Sequence, residues 1–206
     1  AFDKLNKMSL EDLEIIDTDC TGMKFSNLTN LRKLSISAKR GSICCSTSLF
    51  SDQFSSDGNN FMLNKLSLKY VDVNDLDFLN LTNLTELELL SVNRLKSGSF
   101  NTIPNQGVIE RLSITDLDVS YLFFTGFTNL SYLDLSSSIV TVEKFSTIPS
   151  KGLITTLKLK DVCVKYFDFS TFISLEHLDI FKSTGLTALQ FNSLPNKNLI
   201  VTLDLQ

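Results

Sequence analysis

Residues 130–135 read LSYLDL, a hexad of the form L-x-x-L-x-L, and this hexad decides the fold. It recurs along the whole chain, with Ile, Met or Phe replacing leucine in places. Because side chains alternate along a strand, the two leucines of L-x-L share one face. Each hexad therefore predicts one short strand with one buried face. The fourth residue of the hexad falls at Met8, Leu34, Leu66, Leu87, Leu112, Leu133, Leu157, Leu178 and Leu203.

The spacing of these ladder residues indicates the architecture. Successive gaps are 26, 32, 21, 25, 21, 24, 21 and 25 residues, so from Leu66 onward short and long coils alternate in compound units of 46, 45 and 46. Periods of about 20 to 29 residues with this hexad are typical of a leucine-rich repeat solenoid, in which neighbouring coils bury each other's apolar faces. We predict one α/β-type leucine-rich repeat domain over residues 1–206, with about eight to nine repeats. It should form a right-handed horseshoe with a concave parallel β-sheet and an irregular convex side of loops and short helices.

Two recurring segments complete the coils. Short coils carry F-x-x-[LF]-[TI]-[NS]-L, and long coils carry a segment that contains Pro104, Pro149 and Pro195. Proline fixes φ and lacks an N–H, so these prolines predict one turn that recurs in three coils. The repeated phenylalanines predict a stacked aromatic core rather than a cofactor pocket. Positive φ is expected three residues after each proline, at Gly107, Gly152 and Asn198.

One common feature of such repeats is weak in this chain. Many leucine-rich repeats place asparagine at the ninth position of the coil, where it hydrogen-bonds to the neighbouring coil. Here that position is mostly apolar, so we expect reduced hydrogen bonding between coils and loose stacking. It holds Leu13, Val71, Val92, Leu117, Ser138, Val162 and Ser183.

Composition and length fit one domain with a sizeable core. The chain has 206 residues, of which 43% are hydrophobic, and a net charge of −4, which supplies enough apolar material for a single core. The chain contains no run of about 18 apolar residues, so we predict no membrane span. We also recognise no signal peptide and no basic run in it. Neither end carries a cap that would shield the core, so we interpret the chain as an internal segment of a longer protein.

Four sequons favour an extracellular or cell-surface location, with the endosomal lumen as an alternative. Asn27, Asn80, Asn83 and Asn129 each begin N-x-[ST], the acceptor motif for N-glycosylation. N-L-T is also part of the repeat, so a single copy carries little weight and the argument depends on the number of copies. We expect Asn83 and Asn129 to be the less accessible, because they lie next to strands.

The cysteines fit the same location. Counted within their coils, Cys20 is at position 16 and Cys45 at position 15. Equivalent positions in neighbouring coils lie about 5 Å apart, which suits the separation of about 4.4–6.8 Å between the Cα atoms of a disulfide. We predict a Cys20–Cys45 bridge, with Cys20–Cys44 as the alternative. Cys163 should face outward, either as a free thiol or bonded outside this segment.

The variable strand positions form the predicted concave face. Basic residues lie on the strands at Leu66, Leu112 and Leu157, and acidic residues on the strands between them. Cross-strand pairs should neutralise this face, which argues against a nucleic-acid partner. Apolar or aromatic residues on or beside the face, together with the one histidine, are candidate ligand or dimer contacts. These candidates are Tyr70, Leu90, Tyr132, His177 and Phe181.

The coil between Leu34 and Leu66 is about seven residues longer than its equivalents and contains both Cys44 and Cys45. Insertions in solenoids project from one face and often bind partners. The extra residues predict either such a loop or a tolerated bulge tied by the disulfide.

No motif indicates catalysis. The chain has one histidine and no Gly-rich phosphate loop, HExxH, G-x-S-x-G or paired metal ligands. We therefore predict a binding protein that is not an enzyme, with no cofactor and no metal site.

Residues 124–136 read FTGFTNLSYLDLS, and in this motif the chain resembles the extracellular leucine-rich repeats of Toll-like receptors. The sequons, irregular repeat lengths and cysteine-bearing insertion also match. The asparagine ladder, the cysteine-rich caps and the cytoplasmic signalling domain do not. The resemblance implies a pattern-recognition segment of an innate immune receptor that binds a protein or microbial ligand and dimerises with itself or another receptor. It would reach the membrane only through a transmembrane segment absent from this chain.

The alternative function is that of a secreted or surface leucine-rich repeat protein, an adhesion protein or an inhibitor, without immune signalling. Both functions depend on binding through the same repeat scaffold. They differ in whether the protein dimerises and carries native glycans.

Overall fold

The computed structural model describes residues 9–20, 22–39, 48–54, 62–199 and 202–204. The chain divides into two compact units, residues 1–105 and residues 106–206. Each unit is built from short parallel strands, as the hexads predict. The single domain over residues 1–206 stays a prediction.

The first unit is organised around a parallel sheet whose strands alternate with turns. Its described elements are β1 (Asp12–Ile16), β2 (Lys33–Ser37), β3 (Ser48–Phe50), β4 (Lys65–Lys69), β5 (Asp72–Asp75), β6 (Glu86–Leu90), the helix α1 (Ser97–Asn101) and 3₁₀ turns at Phe25–Asn27 and Ser51–Gln53. Strands β1, β2, β4 and β6 form the sheet in that order, and β3 pairs with β5 in a second, two-stranded sheet. The ladder leucines lie opposite one another across the larger sheet.

The second unit repeats this arrangement with five strands. Its described elements are β7 (Arg111–Thr115), β8 (Tyr132–Asp134), α2 (Val142–Ser146), β9 (Thr156–Lys158), β10 (His177–Asp179), α3 (Ala188–Asn192), β11 (Thr202–Asp204) and 3₁₀ turns at Gln106–Val108 and Lys197–Leu199. The five strands form a parallel sheet in chain order. Their ladder leucines are again in register, from Leu112 to Leu203.

The register of β1 corrects the first step of the ladder. Leu13, rather than Met8, lies opposite Leu34, and Met8 itself is outside the described residues. Residues 5–10 and residues 10–15 both fit the hexad, so only the strand pairing decides between them. With Leu13 as the ladder residue the first gap is 21, and short and long coils alternate from the first described strand onward.

Regular main-chain hydrogen bonds join the coils although the asparagine ladder is missing, and the expectation of loose stacking stays a prediction. At the entry to β8, the carbonyl of Glu110 accepts the N–H groups of Ser131 (2.9 Å) and Tyr132 (3.1 Å). A second main-chain contact joins short coils to the long coils that follow them. It pairs Asp72 with Asn93, Asp118 with Ile139, and Cys163 with Thr184.

Two serines take over the missing asparagine role in the second unit. The Ser138 hydroxyl donates to the Ile114 carbonyl (3.0 Å) and accepts the Leu117 N–H (3.2 Å). Ser183 repeats the arrangement one compound unit later, donating to the Leu159 carbonyl and accepting from the Val162 N–H. A hydroxyl can both donate and accept, so one serine satisfies two groups of the preceding coil.

Ring contacts between coils confirm the aromatic core. The rings of Phe145 and Phe167 stack with centroids 4.1 Å apart, and Phe172 stacks on Phe145 at 5.7 Å. In the first unit Phe25 and Phe54 lie 5.4 Å apart. All five side chains are buried.

The prolines lie at one structural position, as predicted, but the predicted positive φ values are wrong. Each proline follows the last residue of α1, α2 or α3 by three positions. Gly107, Gly152 and Asn198 do not have positive φ. In seven coils the left-handed residue is instead the fourth after the ladder leucine, where the chain turns out of the sheet. These residues are Asp17, Tyr70, Ser91, Asp116, Ser137, Asp161 and Lys182.

Candidate binding surfaces

The open sheet face of each unit consists of the strand side chains that alternate with the buried leucines. In the first unit it is largely neutralised by ion pairs between neighbouring strands, as predicted. Lys65 Nζ lies 2.9 Å from a Glu86 carboxylate oxygen, and Lys69 Nζ lies 3.0 Å from Glu88. Ser67 adds a hydroxyl that donates to Glu88 at 2.7 Å.

The Glu88 carboxylate is held by both Ser67 and Lys69. Burial raises the pKa of its carboxyl, but hydrogen bonds from Ser67 and Lys69 and the charges of Lys69 and Lys65 lower it more. The net pKa lies below its ordinary value, so Glu88 is ionised at neutral pH and its charge is already compensated.

A depression of about 310 Å³ lies on the same face, towards β1. The small side chains of Ser35 on β2 and Ser67 on β4 belong to its lining. Lys33, exposed at its edge, has no acidic partner within 4 Å among the described residues. The lining also includes the carboxylates of Asp12 and Glu14, and Ser67 is buried with its hydroxyl bonded to Glu88. The depression therefore presents a mixture of charges to a partner rather than a single cation.

The open sheet face of the second unit centres on Tyr132. The guanidinium carbon of Arg111 lies 4.0 Å from the centre of the tyrosine ring, and Lys158 Nζ lies 5.5 Å from it. The phenol donates to Asp134 at 3.3 Å. Burial and the Asp134 charge raise the pKa of Tyr132, opposed by Lys158 and Arg111. The ring is held between two cations while its edge remains half-buried.

The next strands continue the charge pattern. Lys160 Nζ lies 3.0 Å from Asp179. His177 on β10 is half-buried and lies opposite Thr156, which separates it from Tyr132 on β8. Phe181 follows β10 and lies beneath the ammonium of Lys182, whose Nζ is 5.1 Å from the ring centre.

The five predicted contact residues thus fall in separate places. Tyr70 and Leu90 are neighbours in the first unit, joined by a main-chain hydrogen bond of 2.9 Å. Tyr132, His177 and Phe181 lie in the second unit. All five are half-buried, and their role as contacts stays a prediction.

More exposed apolar side chains lie off the sheet face, and sequence reasoning missed them. Tyr121 is 38% exposed, Phe123 50%, Tyr166 70% and Leu189 81%. The sequence does carry a signal for them, at the position nine residues after the ladder leucine of each short coil. This position holds Gly22 in the first short coil but the aromatic residues Tyr121 and Tyr166 in later ones.

Cys20 is a buried free thiol in the structure, where the sequence predicted a disulfide. With Leu13 as the ladder residue, Cys20 is at position 11 of its coil and not at position 16, so its equivalence with Cys45 no longer supports the bridge. Cys44 and Cys45 lie outside the described residues, and the pairing stays a prediction. Cys163 is exposed and free, facing outward as expected.

The accessibility of the sequons differs from the expectation. Asn27, Asn83 and Asn129 are exposed, whereas Asn80 is half-buried. Proximity to a strand does not bury Asn83 or Asn129, because both precede the buried leucine that leads into the strand.

Neither a membrane span nor a metal cluster is found in the part of the chain that the structure describes. No described helix is long and apolar enough to cross a bilayer. No group of three or more His, Cys, Asp or Glu side chains among the described residues could hold a metal ion. The oversized coil stays a candidate loop, since residues 40–47 and 55–61 within it lie outside the described ranges.

Solved structures share the fold of this chain. An internalin from Listeria monocytogenes matches with a TM-score of 0.64 and 15% identity, over 96% of this chain and 54% of that one. A leucine-rich repeat protein from Leptospira interrogans matches with a TM-score of 0.54 and 15% identity, over 98% of this chain and 62% of that one. The chain has a leucine-rich repeat fold. It spans less than two thirds of the length of either neighbour.

These comparisons show the fold of the chain but not its family. No family model matches the sequence, and no curated protein matches it. The two proteins named above are bacterial leucine-rich repeat proteins, and the comparisons do not show the resemblance to Toll-like receptors.

Proposed function

We propose that this leucine-rich repeat chain is a protein-binding module that recognises its partner through the open sheet face. The observation that carries the proposal is Tyr132 held between Arg111 and Lys158 on the second unit. Tyrosine and arginine are enriched among the residues that dominate binding energy at protein interfaces. Leucine-rich repeat folds are in general scaffolds for protein interaction rather than enzymes, which agrees with this proposal.

The surroundings of Tyr132 suit it to this role. Strand β8 holds the residue between Arg111 on β7 and Thr156 on β9. A ring fixed in place before binding loses little conformational entropy on binding. The cations around it favour a partner that brings a carboxylate to the edge of the ring, and the alternating charges elsewhere on the face disfavour nucleic acid.

We further propose an extracellular or cell-surface location, supported by the exposed sequon asparagines Asn27, Asn83 and Asn129. The test is peptide mass spectrometry of the natively produced protein, with and without glycosidase. Glycans at these residues are expected, with lower occupancy at Asn80. Unmodified asparagines at all four positions would remove the support for this location.

Two finer functions remain as proposals. The leucine-rich repeat fold, which the chain shares with both proteins, suits a secreted or surface protein that binds without immune signalling. The motif of residues 124–136 favours a receptor ectodomain that binds a protein or microbial ligand and dimerises. Light scattering of the chain with a selected ligand separates them, because the receptor predicts two copies of the chain per complex and the surface protein one.

The binding proposal is tested by selecting ligands from a displayed library of extracellular protein domains. Selected ligands are then measured against Tyr132→Ala and a matched control, Tyr121→Ala, which removes a tyrosine off the sheet face. We expect Tyr132→Ala to weaken binding by about tenfold or more, and Tyr121→Ala by less than about twofold. Equal affinity for wild type and Tyr132→Ala, or a library that yields no ligand, would contradict the proposal.

A further inference from the structure

A groove of about 470 Å³ lies on the second unit, off the strands and therefore away from the open sheet face. One wall is the segment that precedes the buried Phe169, and the other is α3 and its N-terminal cap. Its lining includes Tyr166, Phe167, Asp168, Thr187, Leu189 and Gln190. Tyr166 is 70% exposed and Leu189 81%, which leaves a large apolar area in contact with water.

Hydrogen bonds hold the two walls of the groove together. Gln190 Nε2 donates to the carbonyls of Val164 (2.8 Å) and Phe167 (2.9 Å). The same side chain accepts the Thr187 N–H at 2.9 Å and completes a capping box at the start of α3. The groove is thus already formed before any ligand binds.

The preceding pair of coils, which contains α2, has a phenylalanine side chain at the place that corresponds to this groove. Aligned on their ladder leucines and on the threonine caps of α2 and α3, Phe123 corresponds to Asp168 and Lys144 to Gln190. In that earlier pair the Phe123 ring lies against α2, with Lys144 Nζ 4.0 Å from its centre. The later pair keeps the tyrosine, as Tyr166 for Tyr121, but has an aspartate where the phenyl ring would be.

The charged residues at the rim of the groove indicate which charge a partner should carry. Lys165 is exposed, and its Nζ lies 4.9 Å from the centre of the Tyr166 ring. It has no acidic partner within 4 Å among the residues that the structure describes. The Asp168 carboxylate also lines the groove; it accepts the Ser170 N–H at 2.9 Å, and this bond lowers its pKa, so the group is ionised. The rim therefore carries the unpaired Lys165 ammonium beside the Asp168 carboxylate, whose charge is partly compensated by Ser170 and Lys151.

We propose that this groove is a second binding site that takes an aromatic side chain from an acidic segment of a partner protein. The incoming ring occupies the place that Phe123 fills in the preceding pair of coils, and contacts Tyr166 and Leu189. A neighbouring carboxylate of the partner meets Lys165. The site is independent of the sheet face, so its failure would leave the proposed function untouched.

The test uses short peptides as probes and methyl NMR of the whole chain as the readout. The probe is acetyl-Asp-Phe-amide, compared with acetyl-Asp-Ala-amide, which lacks the ring, and acetyl-Lys-Phe-amide, which reverses the charge. We expect saturable shifts of the Thr187 and Leu189 methyl signals with the first peptide by about 10 mM. The Ala peptide should give none, and the Lys peptide should bind at least about threefold more weakly.

Two variants and one control locate the site. Asp168→Phe supplies the missing ring within the chain and should reduce binding by about tenfold or more, whereas Asp168→Asn leaves the groove open, removes a charge of the same sign as the peptide's and should not weaken binding. Leu189→Glu, which installs the residue found at position 143, should weaken binding at least about fivefold. The Thr187 methyl reports on all three, and methyl signals remote from the groove confirm that each variant is folded.

Three results would overturn the proposal: no saturable shift with any peptide, unchanged binding by Asp168→Phe, or equal binding of the Asp and Lys peptides. Concentration-dependent shifts of the groove methyls without peptide, accompanied by dimers in sedimentation, would also overturn it. In that case the occupant would be a second copy of this chain.

Discussion

At the scale of single residues, Cys20 shows how the strand register changes an interpretation. In the corrected register it occupies the same column as Val73, Val119 and Val164, and all four side chains are fully buried. A free cysteine in such a position packs as a small apolar side chain. The residue thus belongs to the core of its coil.

Substituting Cys20 by valine distinguishes a core thiol from a cysteine that forms a disulfide. As a core thiol, Cys20→Val should change the free energy of unfolding by less than about 1.5 kcal/mol, with or without reductant. Loss of a disulfide to Cys45 or Cys44 would cost about 2–5 kcal/mol. Urea unfolding of both proteins decides between them, and a large loss that disappears in reductant would support the bridge.

Alkaline pH provides a second test of Cys20. Burial, reinforced by the charge of Asp19, raises the pKa of the thiol from 9.0 to about 11. Above about pH 9 the unfolded thiol releases its proton while the folded thiol keeps it, so deprotonation favours unfolding. The free energy of unfolding should therefore fall between about pH 9 and 11 more steeply in wild type than in Cys20→Val. Parallel pH profiles would contradict this account, since lysine and tyrosine titrate equally in both proteins.

Ser138 carries a testable share of the contact between coils. Its removal leaves the Ile114 carbonyl and the Leu117 N–H without the hydroxyl that joins them. Ser138→Ala should lower the free energy of unfolding by about 1–3 kcal/mol. Ser146→Ala, on the exposed side of α2, should change it by less than about 0.5 kcal/mol. Equal effects of the two substitutions in chemical denaturation would show that the bridge is not stabilising.

At the scale of elements, the sequence predicted the features that recur at fixed spacing. It missed the features that depend on how neighbouring strands pair. The hexad, the proline turn and the aromatic core recur at fixed spacing, so periodicity alone locates them. The choice of Leu13 over Met8 could not be made this way, because both fit the hexad. The left-handed residues that end the strands were also missed, because residues as different as Asp17 and Tyr70 take that conformation.

The candidate sites differ in the same way: one follows from the repeat pattern, and the other depends on how elements pack. The ion pairs of the sheet face follow from charge alternation between strands whose order the ladder fixes. The groove at Tyr166 was not predictable in this way, since it depends on how α3 packs against the preceding coil. Its traces in the sequence are the aromatic residue at Tyr166 and the replacement of Phe123 by Asp168 between equivalent coils.

Gly185 tests the packing between the last short coil and α3. Both Gly185 (φ +81°) and Gly22 (φ +78°) are left-handed, but a Cβ on Gly185 would lie 2.6 Å from Lys165 Cβ, whereas one on Gly22 meets nothing within 4 Å. Gly22→Ala should therefore cost about 1–2 kcal/mol through backbone conformation alone. Gly185→Ala should cost about 1–3 kcal/mol more through overpacking. Equal losses in thermal or urea unfolding would mean that the coils can move apart at this contact.

At the scale of the whole molecule, this repeat scaffold offers more than one surface suited to a partner. The coils share one construction, so differences between equivalent positions mark the places that the scaffold does not require. Tyr132 on the sheet face and Asp168 in the groove are two such places. Their separation from each other means that each can be removed by substitution without affecting the other.

Hydroxyl-radical footprinting of the chain, free and bound to a selected ligand, tests the central claim most directly. Oxidation of aromatic and histidine side chains reports whether the open sheet face is covered. The account predicts that bound ligand protects Tyr132, and His177 with it if the contact extends to β10, while Tyr121 is oxidised at an unchanged rate. Unchanged oxidation of Tyr132 in a saturated complex would contradict recognition through the sheet face.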